Sequence, residues 1–279
     1  MLSHVSFQDM ETETEMVITQ LNQIGDMSLR RRIVTMMGYL ELGNPGLVIL
    51  DAGCGDGLYA QLIVRDHLAP HSPLLHAVDV DFGIAGEMHF DGVCFWEREI
   101  ERLNELFCEE CFDRILCTEV LEHVSCAMTA LESLFRMLKP GGILSVTVPC
   151  RNYPFWWDPV SKVQEWVGMR PKSGIWNMHR ELFHPRDIRA LAENAGFIVE
   201  HMDMLTHYCV PFSMQILRLG ALIHSRIPVP GTDRHGEGPG RWNPLRGIKW
   251  VFEKIDALNN QTFDTDTSAV NVALKMRRP

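Results

Sequence analysis

The sequence predicts an α/β fold: a seven-stranded, mostly parallel sheet with helices on both faces, an antiparallel last strand, and a helical insertion between the last two strands. Three observations carry this. Short apolar runs alternate with helical patterns from residue 47 to residue 201, the arrangement of a parallel sheet covered on both sides. The first run leads straight into a glycine-rich turn, Asp51-Ala-Gly-Cys-Gly-Asp-Gly57. The alternation stops after residue 204 and resumes only with a strand-like segment at 269–276.

Two helices are expected first, at 11–24 and 29–42. The second carries Leu29, Ile33, Met36, Met37 and Leu40 at helical spacing. Gly43-Asn-Pro-Gly46 stops it. A buried strand at 47–50 follows, then a helix at 58–67 and a second strand at 75–78. A short helix at 84–89 precedes a weaker strand at 93–96, and 114–117 reads as the next. The helix at 127–138 places Leu131, Leu134, Phe135 and Leu138 on one face and is stopped by Pro140-Gly-Gly142. The strand at 143–148 ends at Pro149. A helix at 185–195 and a strand at 197–201 complete the run, and 269–276 is expected to pair with that strand as an antiparallel sheet edge.

Two stretches break the rhythm. Residues 151–180 are rich in Trp, Pro and Gly, without a clear period. Residues 205–266 hold two apolar helical stretches, 212–223 and 248–258, around a Gly- and Pro-dense loop. The expected organisation is N-terminal helices over 1–46, a core over 47–204 and 267–279, and a helical insertion or lid over 205–266.

Of the 279 residues, 46% are hydrophobic and 22% charged, as in a soluble globular protein. The formal net charge of -10 opposes sequence-independent nucleic-acid binding, which requires phosphate neutralisation. Met1-Leu-Ser-His-Val-Ser-Phe-Gln-Asp-Met10 lacks the basic and apolar segments of a secretory signal. No run reaches the roughly 18 apolar residues of a spanning helix. The eight cysteines are scattered, several inside apparent core segments. Together these predict a reducing, cytoplasmic setting.

In an open α/β sheet, ligands bind beyond the carboxyl ends of the strands. The alternating glycines after 47–50 allow a sharp turn and a close backbone approach to a ligand. Asp51 stands where a dinucleotide fingerprint has its first glycine, and a carboxylate there suits an amine or a sulfonium better than a pyrophosphate. Asp79 ends the next strand, where an acid can accept both hydroxyls of a ribose. Its ordinary alternative is a helix cap, for which Asp81 is the better candidate.

With these residues in place, the sequence resembles the class I S-adenosylmethionine-dependent methyltransferases, in particular the small-molecule branch that includes the ubiquinone-biosynthesis O-methyltransferases. The resemblance covers roughly residues 47–200, with 269–276 as the usual last strand. It implies a Rossmann-like sheet and S-adenosylmethionine as cofactor. Asp51, Gly53, Cys54, Gly55 and Gly57 match the family's first motif, and Asp79, with Val80 beside it, matches the ribose acid. Phe95-Trp-Glu-Arg-Glu99-Ile-Glu101 resembles the third-strand segment, which implies Glu99 and Ile100 beside the adenine. Phe112 through Thr118-Glu119-Val-Leu-Glu122-His123 matches the fourth strand and the cofactor-lining segment after it. Glu181-Leu-Phe-His184-Pro and Ala195-Gly-Phe197 match the late helix and sixth strand. Three departures stand out: Glu99 where Asp is usual, the long aromatic segment at 151–180, and the insertion at 205–266.

Methyl transfer to a high-pKa oxygen asks for alignment, water exclusion and a base near neutral pH. His123 follows the fourth strand at the ligand edge, and His179 lies in the irregular segment expected to roof the site. These are the catalytic candidates, each set against an ordinary packing role. His184 reads as the residue before a helix, and His207 has no clear placement. Trp156, Trp157 and His179 are candidates for contacting an apolar substrate, and the tryptophans equally suit plain packing onto the sheet. Cys108-Glu-Glu-Cys111 lacks two further ligands at zinc spacing, so no metal is expected there. Arg218, Arg226, Arg234, Arg241, Arg246 and Lys249 make the insertion basic, which suits a lipid-like substrate and peripheral membrane contact. Competing expectations are N- or C-methylation of a small molecule, a binding module that keeps the fold without turnover, and a dinucleotide enzyme. Thr118-Glu-Val-Leu-Glu122 stands where an Asn-Pro-Pro-Tyr signature would mark amino-group methylation of nucleobases or glutamine.

Overall fold

The computed structural model describes residues 27–65, 74–81, 92–171, 175, 179–210, 212, 254–260 and 267–279. The expected helices at 11–24 and 84–89, and most of the insertion, lie outside these residues.

Among the described residues seven strands form one sheet: β1 (Val48–Ala52), β2 (Leu74–Asp79), β3 (Val93–Glu97), β4 (Phe112–Thr118), β5 (Leu138–Pro149), β6 (Ile198–Leu205) and β7 (Asn271–Arg277). Their order is β3-β2-β1-β4-β5-β7-β6. The first five are parallel, and β7 runs antiparallel to both β5 and β6. The fold class is as the sequence predicts.

The last strand is the exception in placement. The sequence puts it at an edge; in the structure β7 is inserted between β5 and β6, and β6 forms the edge. Residues from Asn271 to Met276 are all buried, whereas β6 carries exposed and half-buried positions along most of its length. Lys275 gives β7 a charged, alternating look, yet its ammonium is buried against Glu41 and Glu200.

Among the described residues five α-helices flank the sheet: α1 (Met27–Leu40), α2 (Leu58–Arg65), α3 (Ala127–Met137), α4 (Pro159–Trp166) and α5 (Pro185–Asn194). Successive strand side chains point to opposite faces, which divides the core in two. Ile49 and Leu116 pack with Ile33, Met36 and Ile63 of α1 and α2. Their neighbours Leu50 and Ile115 pack with Leu131 and Leu134 of α3 and Ile188 of α5. Each such buried aliphatic side chain contributes roughly 1.5–3 kcal/mol.

Two local differences from the sequence reading have physical causes. α3 ends at Met137, and the chain is already extended at Leu138 (φ -80, ψ 136), in keeping with Pro140, which disfavours helix in the residue before it. β5 therefore starts at Leu138, paired with Phe112, well before the expected 143. α4 lies inside the segment that shows no clear period. Asp158 caps it, accepting from Ser161 N (3.2 Å) and Ser161 Oγ (2.8 Å), with Pro159 opening the first turn. The same buried carboxylate accepts from Ile175 N (2.9 Å), tying the aromatic segment to itself.

The insertion returns through a helical turn at 254–257 and a 3-10 turn, Leu258–Asn260. Asn259 accepts from His207 N and Tyr208 N, each at 2.7 Å, and donates to Tyr208 O (2.9 Å). Among the described residues no helix is long and apolar enough to cross a membrane.

Candidate functional site

β1 and β2 end side by side, and the turn after β1 folds over the end of β2. Gly53 N and Cys54 N both donate to Val78 O (2.7 and 3.1 Å). Gly53 has φ +84, and a Cβ there would lie 2.2 Å from Val120 Cγ2. Only glycine fits that backbone and that contact. Gly55 N donates to Asp79 Oδ2 (2.7 Å), while Val80 N (2.7 Å) and Asp81 N (3.2 Å) donate to Asp79 Oδ1. Asp79 thus pins the glycine turn and its own following residues. A carboxylate offers about four acceptor positions; these three amides take two on Oδ1 and one on Oδ2, which leaves Oδ2 room for a hydroxyl.

Asp51 lies beneath the turn at 0% exposure, and neither of its carboxylate oxygens has a hydrogen-bond partner among the described residues. Burial first, then the charges of Asp79 and Asp56, push its carboxyl up to about 7, against the opposing backbone amide of Ala60. A buried, unpaired carboxylate costs several kcal/mol, so this position favours an arriving cation. Glu119, just after β4, supplies a second acceptor. Its backbone is left-handed (φ +55), an uncommon state for a residue with a Cβ. Its Oε2 takes Arg32 Nη1 (2.9 Å) and Asn271 Nδ2 (2.9 Å), and its Oε1 has no hydrogen-bond partner among the described residues.

Between these groups lies a cavity of about 660 Å³. Gly53, Cys54, Gly55, Asp79, Val80, Glu99, Ile100, Thr118 and Glu119 all border it. Asp51 and Gly57 do not border it: Asp51 is fully buried, and Gly57 (φ +78) precedes α2, its carbonyl accepting from Gln61 N (2.8 Å). Sequence reasoning did not single out Arg32, Tyr59, Arg98 or Arg180, which also border the cavity. Arg32 had one available signal, a basic residue on the helix that precedes the glycine turn.

The structure brings the two candidate histidines together. Their rings meet edge to face with centroids 4.8 Å apart. Glu122 lies between them, its Oε1 3.9 Å from His123 Nε2 and 4.0 Å from His179 Nε2. Glu122 is fully buried, and desolvation, then the nearby Glu119, holds its carboxyl well above the usual carboxylate range. His123 borders the 660 Å³ cavity. A second cavity, of about 890 Å³, adjoins the first through Val124, Ser125 and Arg180, and Arg151, Arg170 and Met169 line it too.

The other candidates are placed as follows. Trp156 is 55% exposed on the surface. Trp157 packs in a buried cluster with Tyr153, Ile175 and Leu182 and borders neither cavity. His184 is the cap residue of α5. The His207 ring faces the carbonyls of Ser268 and Met204, which fixes the start of the insertion. All eight cysteines are free. Cys117 is buried in β4, and the Cys108 and Cys111 thiols hydrogen-bond to one another.

Comparison with known proteins gives the family and the fold. A family model described as a methyltransferase domain matches residues 27–202. The ubiquinone biosynthesis O-methyltransferase of Xylella fastidiosa (strain M23) is 26% identical over 160 residues, 57% of this chain and 63% of that protein. The mitochondrial ubiquinone biosynthesis O-methyltransferase of Mus musculus is 27% identical over 183 residues, 61% of this chain and 46% of that protein. The matches therefore span less than two thirds of these relatives' own lengths. Among solved structures, a SAM dependent methyltransferase from Archaeoglobus fulgidus shares the fold, with a TM-score of 0.52, 14% identity, and coverage of 88% of this chain and 91% of that one.

Proposed function

The chain belongs to the methyltransferase-domain family, whose cofactor is S-adenosylmethionine, and from that premise we propose that it moves the cofactor's methyl group to an oxygen of a small or lipid-like acceptor. The carboxylate of Asp51 and Glu119 Oε1, buried acceptors without a hydrogen-bond partner among the described residues, fit the cationic amino-acid end of the cofactor. Asp79 Oδ2 would take a ribose hydroxyl, and Glu99 and Ile100 would flank the adenine. Bound there, the cofactor supplies a methyl carbon on a sulfonium, already a good leaving group.

What remains for the protein is alignment, dryness and a proton acceptor. As the acceptor oxygen bonds to the methyl carbon, the carbon–sulfur bond breaks and its electron pair stays on sulfur. The hydroxyl proton passes to the His123–His179 pair. The observation that carries this reading is that pair, gathered around a buried carboxylate at the cofactor cavity's edge. The names of the bacterial and mouse relatives support an oxygen acceptor. Arg151, Arg170 and Arg180 along the adjoining cavity favour an acceptor with an anionic group. Met169 at its rim and the exposed Val160, Val163 and Trp166 of α4 favour an apolar tail.

His179→Ala tests the reading. With a panel of phenols bearing a carboxylate and an apolar chain, turnover should fall by about 10² or more, while cofactor affinity stays within about twofold. Unchanged turnover on an acceptor that the wild type methylates would remove His179 from the chemistry.

A further inference from the structure

We infer that Arg31 is a positioning residue that links the two ends of the insertion to the cofactor cavity, so that seating those ends and binding S-adenosylmethionine each strengthen the other. The linkage rests on the cofactor reading of that cavity.

The ends of the insertion are first joined to each other. Asn259 is buried; its Oδ1 accepts from His207 N and Tyr208 N, and its Nδ2 donates to Tyr208 O. The His207 ring lies between the carbonyls of Met204 and Ser268. Chain entering the insertion, chain returning from it and chain beyond it therefore meet at one point.

Arg31 fastens that point to α1. Its guanidinium donates to both the side chain and the carbonyl of Asp256, to Asn259 O (3.2 Å) and to Asn260 Oδ1 (2.8 Å). The side chains of Arg31 and Asp256 are 18% and 13% exposed, so solvent screens their ion pair weakly. A forked guanidinium can serve all these acceptors, whereas the single nitrogen of a lysine cannot span them. The same charge reaches His207: burial first, and Arg31 in addition, hold that imidazole below its usual range against the two carbonyls it faces.

The neighbouring residue reaches the cavity. Arg32 Nη1 donates to Glu119 Oε2 (2.9 Å), which also accepts from Asn271 Nδ2 (2.9 Å). Asn271 Oδ1 in turn accepts from Ser28 Oγ (3.0 Å). Ser28, Arg31 and Arg32 lie three and four residues apart, within about one turn of α1. One turn of helix thus grips the insertion's ends through Arg31 and Glu119 through Arg32 and, by way of Asn271, Ser28. The left-handed backbone of Glu119 (φ +55) persists only where its surroundings over-determine it, and these contacts do so. A cofactor that favours the held Glu119 favours docked α1, and docked α1 favours seated insertion ends; the coupling is reciprocal by thermodynamic linkage. Neither Arg31 nor Asp256 borders the cavity. Their influence on the cofactor is exerted through Arg32 and Glu119 and not by contact.

The test titrates S-adenosylmethionine into the full chain by calorimetry and follows amide hydrogen exchange with and without the ligand. Asp256→Ala and Arg31→Lys should each weaken cofactor affinity about fivefold to tenfold. Asp256→Asn, which keeps an acceptor for Arg31, should bind like wild type. Ile188→Val, a core change on the opposite face of the sheet, should lower the thermal midpoint and leave affinity unchanged. In wild type, saturating ligand should slow exchange of the His207 and Tyr208 amides at least about fivefold, although neither residue borders the cavity. Asp256→Ala should abolish that protection. A merely structural Arg31 would change melting and leave the protection in place. If Asp256→Ala does not fold, Arg31→Lys and the wild-type exchange experiment decide the matter. Wild-type affinity in both variants, or exchange at His207 and Tyr208 that ignores bound ligand, would overturn the inference and leave the cofactor cavity standing. No binding by the wild type would refute the cavity and the linkage together.

Discussion

Replacing Asp51 with Asn is expected to stabilise the unliganded protein above neutral pH and to destroy its affinity for S-adenosylmethionine. Both effects follow from one buried carboxyl. Its value of about 7 in the folded chain stands against 3.8 as the reference value. Between those values the folded state binds more protons than the unfolded state, so stability falls as pH rises through this window. Above pH 7 the full penalty, on the order of 4 kcal/mol, applies. The Asn variant loses this dependence. In the wild type a cationic ligand must find Asp51 ionised, so affinity should drop about tenfold per pH unit below 7. Removing one partner of a buried charge pair costs about 3–5 kcal/mol, or about 10²–10⁴ in affinity. Denaturant melts at pH 5 to 8, with calorimetry on both proteins, measure the two halves. An Asn variant that is less stable than wild type at pH 8, or that binds the cofactor equally well, would contradict the account.

Gly53→Ala is expected to be nearly as damaging for a different reason. The new methyl would lie 2.2 Å from Val120 Cγ2 on a backbone with φ +84. Either the turn lifts off the end of β2, or Val120 moves and displaces Glu119 beside it. Both distort the cofactor cavity, so affinity should fall at least tenfold and the thermal midpoint by several degrees. Gly55→Ala is the control. Its added Cβ meets nothing within 4 Å and its φ is +53, a left-handed state that alanine enters at a cost of about 1–2 kcal/mol. Its melting temperature should therefore fall less. Equal losses in the two variants would show that the Val120 contact is unimportant.

The legible parts of the molecule are those written in local order. The glycine turn, Asp51 and Asp79 are strand-end residues, and their roles follow from the strands that carry them. β1, β2, β4 and the later part of β5 are parallel and largely buried, so each appears as a short apolar run, whereas β3, at the sheet edge, is half-buried to exposed and gives a weaker one. What escaped is tertiary. Arg32 reaches the cavity only because α1 docks over the sheet, and no spacing rule connects it to Glu119. Arg180 is placed by tertiary bonds, its N–H donating to Glu122 O and its carbonyl accepting from Arg170 Nη2. The two histidines could each be singled out, but not their meeting, and an acid after a strand reads as surface until its burial is seen. α4 had a signal in Asp158-Pro159, a cap followed by a first-turn proline, obscured by the surrounding tryptophans. β7 lies inside the sheet because its pairing with β5 is tertiary, and Lys275 is neutralised there by Glu41 and Glu200.

The central claim is that the cavity between Asp51, Asp79 and Glu119 holds S-adenosylmethionine. Calorimetric titration of the full chain with S-adenosylmethionine, and in parallel with its demethylated product, tests it most directly. The account predicts one site per chain for each ligand, with affinity that weakens as pH drops below 7. No heat of binding from either ligand at millimolar concentration would contradict it.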